Sequence, residues 1–156
     1  VYMLYLDIIL TFILLVLTAY SDARKRIIPN YMTLPFIPIG IINSMFLYGW
    51  LEGLKNQIWL IPLFIICFIL FKLHQIGGGD AKLMLAVGSL LGMENSLLLF
   101  LITFVVSWFY CLYKFMQKRK NHGGSLKEKQ RIMIPLALMM FIAFILFIIF
   151  YFLFLK

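Results

Sequence analysis

Acidic residues are scarce in this chain. Asp7, Asp22, Glu52, Asp80, Glu94 and Glu128 are the only ones among 156 residues, and charged residues of both signs make up 13%. So little charge excludes an ordinary soluble domain, because a chain that is 64% hydrophobic and 17% aromatic carries more apolar area than one core of this size can hide. Cysteine is nearly absent: Cys67 and Cys111 lie inside apolar runs, too few for a four-thiolate zinc site and placed as packing residues. His74 and His122 lack metal-ligand spacing, so neither a metal nor a cofactor is expected. The longest polar stretch is the segment from about 115 to 133, which leaves no room for a separate soluble domain, and there is no internal repeat or low-complexity linker.

What the chain has instead is apolar length. A helix crossing a hydrocarbon core of about 30 Å needs roughly 20 residues. Runs of that kind occur at about 2–20, 32–50, 57–73, 80–92, 96–114 and 134–155. The expected fold is all-α, a single polytopic membrane helix bundle over residues 1–156 with about six transmembrane helices. The first run is rich in large residues and lacks a small-residue cleavage site, so it reads as a span and not as a removable signal.

Charge placement predicts the orientation. Lys and Arg fall at Arg24, Lys25 and Arg26 in the first connection, at Lys72 and Lys82 around the third, and at Lys114, Lys118, Arg119, Lys120, Lys127, Lys129 and Arg131 in the fifth. Odd-numbered connections thus hold 12 of the 14 cations, Lys55 and Lys156 being the others. The positive-inside rule makes those connections cytoplasmic and puts both termini outside a cell membrane. The net charge of +8 is then mainly a topology signal directed at anionic lipid headgroups, and no nucleic-acid partner is expected.

In this topology Asp22 closes the first span and Asp80 opens the fourth, so two carboxylates converge on the cytoplasmic side although 57 residues separate them. Asp80 follows Gly77, Gly78 and Gly79. Glycine tolerates positive φ and close backbone approach, so the three predict a bend that presents Asp80 at a helix start. The fourth span, at about 20 Å, is short for a membrane, and the glycine segment lying below the surface would supply missing length beside a water-filled cavity. A single Asp at a span end is ordinarily a helix cap or a solvated interfacial charge. Two of them at helix ends on one side, in a chain with so few acids, point instead to function, since ionisable groups at membrane depth are costly.

The segment Asp22-Ala23-Arg24-Lys25-Arg26-Ile27-Ile28-Pro29-Asn30, with Thr33 beyond it, and the segment Gly77-Gly78-Gly79-Asp80-Ala81-Lys82-Leu83 together resemble the prepilin peptidases, Gly-x-Gly-Asp intramembrane aspartyl proteases that include the preflagellin peptidases. Ile134-Pro135 resembles the start of that family's last helix, although a second proline often found nearby is absent. The chain looks like a short, peptidase-only member, since it lacks the Cys-x-x-Cys pairs associated with methylation in many bacterial members. The resemblance implies an aspartic endopeptidase with Asp22 and Asp80 as catalytic residues. Its partner would be a type IV prepilin or pilin-like precursor, a short leader followed by a hydrophobic helix, cut after a glycine at the cytoplasmic face.

The chemistry of two adjoining carboxyls is consistent with that. They share one proton near neutral pH, so the charged member can take a proton from attacking water while the protonated one donates to the carbonyl oxygen. Gly77, Gly78 and Gly79 are expected to admit the substrate backbone. Pro29 and Asn30 would start the second span, Asn30 also within reach of hydrogen-bonding Asp22, and Lys82 would snorkel at the interface or tune the acids. Asp7, 15 residues before Asp22 and thus about 22 Å away along a helix, is expected near the outer surface. Trp50 and Trp59 would belong to an aromatic belt. Two other classes fit parts of the pattern: a transport or proton-relay protein using the same aspartates, and a phospholipid-processing enzyme suggested by Asp22-Ala23-Arg24.

Overall fold

The computed structural model describes residues 2–25, 28–74, 76–121 and 136–154. The cations at Arg26, Lys127, Lys129 and Arg131, together with His122, Ile134 and Pro135, lie outside the described residues. The described residues form seven helices and no strand: α1 (Tyr2–Lys25), α2 (Asn30–Thr33), α3 (Phe36–Tyr48), α4 (Trp50–Gln57), α5 (Leu60–Lys72), α6 (Gly78–Asn121) and α7 (Leu136–Phe154).

α1 is built inside out. Its buried positions are Asp7, Thr11, Leu14, Leu15, Thr18, Ala19, Ser21 and Asp22, a stripe at helical spacing, whereas Leu6, Ile9, Phe12, Ile13, Val16 and Leu17 face outward. That arrangement suits a helix whose surroundings are lipid, where the polar groups must turn inward. The threonine hydroxyls on the stripe are satisfied within the helix: Thr11 Oγ1 donates to the Asp7 carbonyl at 2.7 Å and Thr18 Oγ1 to that of Leu14 at 2.8 Å. The stripe carries Asp7 at one end and Asp22 at the other.

The first part of α6 occupies the centre of the bundle. Residues 86–92 are buried without a break, and α6 packs on α3, α5, α7 and α1. Small residues let the helices meet closely: a Cβ added at Gly40 of α3 would lie 2.6 Å from the Ser89 carbonyl carbon. The Ser89 hydroxyl bonds the Ala86 carbonyl at 2.8 Å, and the Gln57 amide donates to the Ser89 carbonyl at 3.0 Å.

α6 is kinked at Gly92, whose φ of 70° and ψ of −176° interrupt the helix. Trp59 touches both limbs: its indole would meet a Cβ on Gly88 at 3.0 Å, and its centroid lies 6.5 Å from that of Phe100. On a straight helix those two positions would be about 18 Å apart. Trp59 therefore packs at the kink. Because the backbone region occupied by Gly92 is closed to residues with a Cβ, Gly92→Ala should lower stability by about 1–3 kcal/mol. A thermal scan of the solubilised protein checks this, and an unchanged melting temperature would show the kink to be unstrained.

Among the described residues five helical stretches are long and apolar enough to cross a membrane, Trp50–Lys72 and Gly78–Gln117 each counting as one. The expected separation of spans at 80–92 and 96–114 corresponds to the two limbs of α6. The expected connection between 50 and 57 is instead a helix, α4, which packs against α3 with Gly53 on Met45. Asp7 of α1, Tyr48 of α3, Leu91 and Asn95 beside the kink, and Tyr151 of α7 line one small cavity. The start of α1 and the end of α7 therefore share one end of the bundle, and Asp22 lies at the other.

Candidate active site

Asp22 sits on the last turn of α1 and is 8% exposed. Asp80 is the third residue of α6 and half-buried. The two are within electrostatic reach, the Asp22 charge acting on Asp80. α1, α2 and α6 pack against one another at this end, and Thr33, wholly buried on α2, belongs to the same junction.

The glycines do something different from what their sequence predicts. α6 begins at Gly78, and positive φ in this region falls on His74, at 56°. The His74 N–H bonds the Phe71 carbonyl at 3.0 Å and the Leu73 N–H bonds that of Ile69 at 2.9 Å, so the bend is the left-handed cap of α5, a place usually given to Gly or Asn. The glycines serve close approach. A Cβ on Gly79 would lie 3.0 Å from the Cβ of Ile28 and 3.4 Å from its carbonyl oxygen, and one on Gly78 would lie 3.3 Å from the Phe71 ring.

Gly77 precedes the helix, and its backbone N–H donates to the Asp80 carboxylate while its carbonyl accepts from the Ala81 N–H at 3.1 Å. This is half of a capping box, with the third helical residue reaching back to the residue before the helix. It fixes the Asp80 rotamer whatever else the carboxylate does.

Asn30 and Lys82, both expected near the aspartates, bond each other: Lys82 Nζ donates to Asn30 Oδ1 at 2.7 Å. The oxygen of Asn30 is thus turned to Lys82, and the Lys82 ammonium is turned to a neighbour on the protein. Sequence reasoning missed Ile28, which is 8% exposed. Its signal was an aliphatic residue held between a run of cations and a proline.

Asp7 is far from this junction, as expected, at the opposite end of the bundle, and it is buried there. It accepts a hydrogen bond from the Asn43 amide and lines the cavity at the opposite end, whose volume of about 20 Å³ has room for about one water. Among the described residues no three His, Cys, Asp or Glu side chains gather as a metal site would require. Cys67 is buried in α5 and unpaired.

Comparison with known proteins bears on this junction directly. The sequence profile described as the type IV leader peptidase family matches residues 9–112, a stretch that includes both aspartates and the glycine segment. The chain is 31% identical over 98 residues to prepilin peptidase EppA of Methanocaldococcus jannaschii, covering 63% of this chain and 27% of that protein. It is 33% identical over 87 residues to prepilin peptidase EppA of Methanothermobacter thermautotrophicus, covering 51% and 22%. The chain thus spans about a quarter of the length of the curated relatives it matches. No solved structure matches it.

Proposed function

Because the chain belongs to the type IV leader peptidase family, we propose that it is a multi-pass membrane aspartyl endopeptidase that removes the short leader of prepilin-like precursors, with Asp22 and Asp80 activating water. The observation that carries the reading is the approach of two carboxylates from α1 and α6 at one end of the bundle, in a chain with six acids.

One Asp, ionised, takes a proton from water as the oxygen attacks the scissile carbonyl carbon. The other, protonated, donates to the carbonyl oxygen, which gives a gem-diol; the first Asp then passes its proton to the leaving amine as the C–N bond breaks, and the second takes one back from a gem-diol hydroxyl. Which member holds the proton belongs to the pair and not to either residue. The Gly77 N–H bond to Asp80 orients one carboxylate at no further cost in conformational freedom.

Family membership and the place of the junction at helix ends support the substrate class: a site there would reach a peptide bond just outside a hydrophobic helix, where a prepilin-like precursor has its leader. The bias of cations toward odd-numbered connections supports placing this end of the bundle, and hence the cut, on the cytoplasmic side of the cell membrane, with six crossings and both termini outside.

Co-expression with pilin-like precursors carrying short basic leaders tests the function: a decrease in precursor size is expected. No decrease across several such precursors would favour the transport reading. The topology has its own check. In a version with Cys67 and Cys111 replaced, single cysteines at Asn121 and Ser125 should be shielded from an impermeant thiol reagent in intact cells, while one at Asn56 should label. The opposite pattern would put the aspartates on the outer side.

A further inference from the structure

The bond between Asn30 and Lys82 joins residues 52 apart and lies beside a second contact between the same two segments, Ile28 on Gly79. The two contacts match in register. Pro29 has φ −67° and ψ 141°, a polyproline II conformation, and the residues on either side, Ile28 and Asn30, both contact α6. Gly79 and Lys82 are three apart on α6 and therefore neighbours on one helix face. Two residues of polyproline II cover about 6.2 Å and an i, i+3 pair on a helix about 5–6 Å, so the two spacings coincide.

We propose that Ile28, Pro29 and Asn30 form a clasp that closes on Gly79 and Lys82 and holds Asp22 and Asp80 together. Ile28 supplies the apolar point, seated where Gly79 has no side chain. Asn30 supplies the polar point, accepting from the Lys82 ammonium. Pro29 keeps the two in line, since its ring fixes φ and it needs no backbone hydrogen-bond partner of its own. Asp22 lies at the end of α1 a few residues before the clasp, and Asp80 lies between its two anchor points on α6. Two carboxylates repel when both are charged, and the clasp opposes that separation from outside the reacting atoms. Asn30 and Lys82 are on this account positioning residues. The effect on cleavage rests on the peptidase reading above, whereas the geometry of the clasp does not.

The experiment therefore has two readouts. In protein lacking Cys67 and Cys111, Asp22→Cys and Asp80→Cys are combined, and the rate of intramolecular cross-linking by a short bis-maleimide is followed in membranes. Lys82→Met and Asn30→Leu, each added to that pair, should slow cross-linking several-fold, and both together should slow it no more than either alone. Lys82→Arg, which keeps the donor, and Asn30→Asp, which keeps the acceptor, should leave the rate near that of the starting pair. In the protein with its aspartates intact, Lys82→Met should lower kcat for precursor cleavage about tenfold with little change in KM, and Lys82→Arg should restore it. Equal cross-linking in all variants overturns the clasp, whether or not a precursor is cut. Equal loss from Lys82→Met and Lys82→Arg also overturns it, because restoring a cationic donor would then not restore the effect. Cross-linking that follows the expected pattern in a protein that cuts no precursor would uphold the clasp and overturn the peptidase reading.

Discussion

Asp22→Asn and Asp80→Asn should each reduce leader removal by about 10²–10⁴-fold, the usual worth of a positioned acid or base, while leaving the protein in the membrane at parental level. An amide neither accepts the proton of attacking water nor donates to the carbonyl oxygen as an acid, so either change disables one half of a two-part reaction. The losses should not add: with one half gone the other has little left to do, and the double variant should resemble each single one. Asp7→Asn is the control. Its carboxylate faces a cavity at the far end of the bundle and bonds Asn43, so cleavage should stay near parental. Precursor processing at matched protein levels decides the matter, and full turnover by either of the first two variants would remove the dyad from the account.

The second large effect is expected from a single methyl group. Gly79→Ala places a Cβ 3.0 Å from that of Ile28, closer than carbon atoms sit without something shifting, and the opposing atoms belong to a β-branched side chain and to backbone. Overpacking of this kind costs about 1–3 kcal/mol, and here the strain falls between the two segments that carry the aspartates. Cleavage should therefore drop about tenfold or more while membrane accumulation changes little. Gly78→Ala should be milder, because its Cβ meets the edge of the exposed Phe71 ring at 3.3 Å and that ring can swing aside. Comparable rates for the two variants would mean that the glycines are ordinary helix-start residues.

The contrast between these glycines and His74 shows where sequence reasoning reaches its limit. Three consecutive glycines announce that a left-handed residue is permitted, yet the chain takes its left-handed step at His74 and runs Gly78 and Gly79 into a helix. Permission is local, but the use made of it is decided by contacts such as Ile28 on Gly79, between residues 51 apart in sequence. The inward stripe of α1 was more accessible, since Asp7, Thr11, Thr18 and Asp22 recur at helical spacing among apolar neighbours. α4 escaped notice because its sequence, Trp-Leu-Glu-Gly-Leu-Lys-Asn-Gln, reads as a polar connection and is held as a helix by packing Gly53 and Gln57 inward. The kink at Gly92 was legible only as a boundary between two short runs. That Trp59 packs against both of its limbs is a tertiary fact.

The dyad and the leader-peptidase activity are tested together by the pH dependence of kcat/KM for precursor cleavage by the protein reconstituted in lipid vesicles. Two carboxyls sharing one proton are active only in the singly protonated state. The rate should fall at low pH, where the second carboxyl gains a proton, and fall again at high pH, where the shared proton is lost, leaving one maximum between. Both limbs should be absent from the residual rates of Asp22→Asn and Asp80→Asn. A rate in the parent protein that climbs steadily with pH and shows no descending limb, as an activated hydroxide or serine nucleophile would give, would contradict the account.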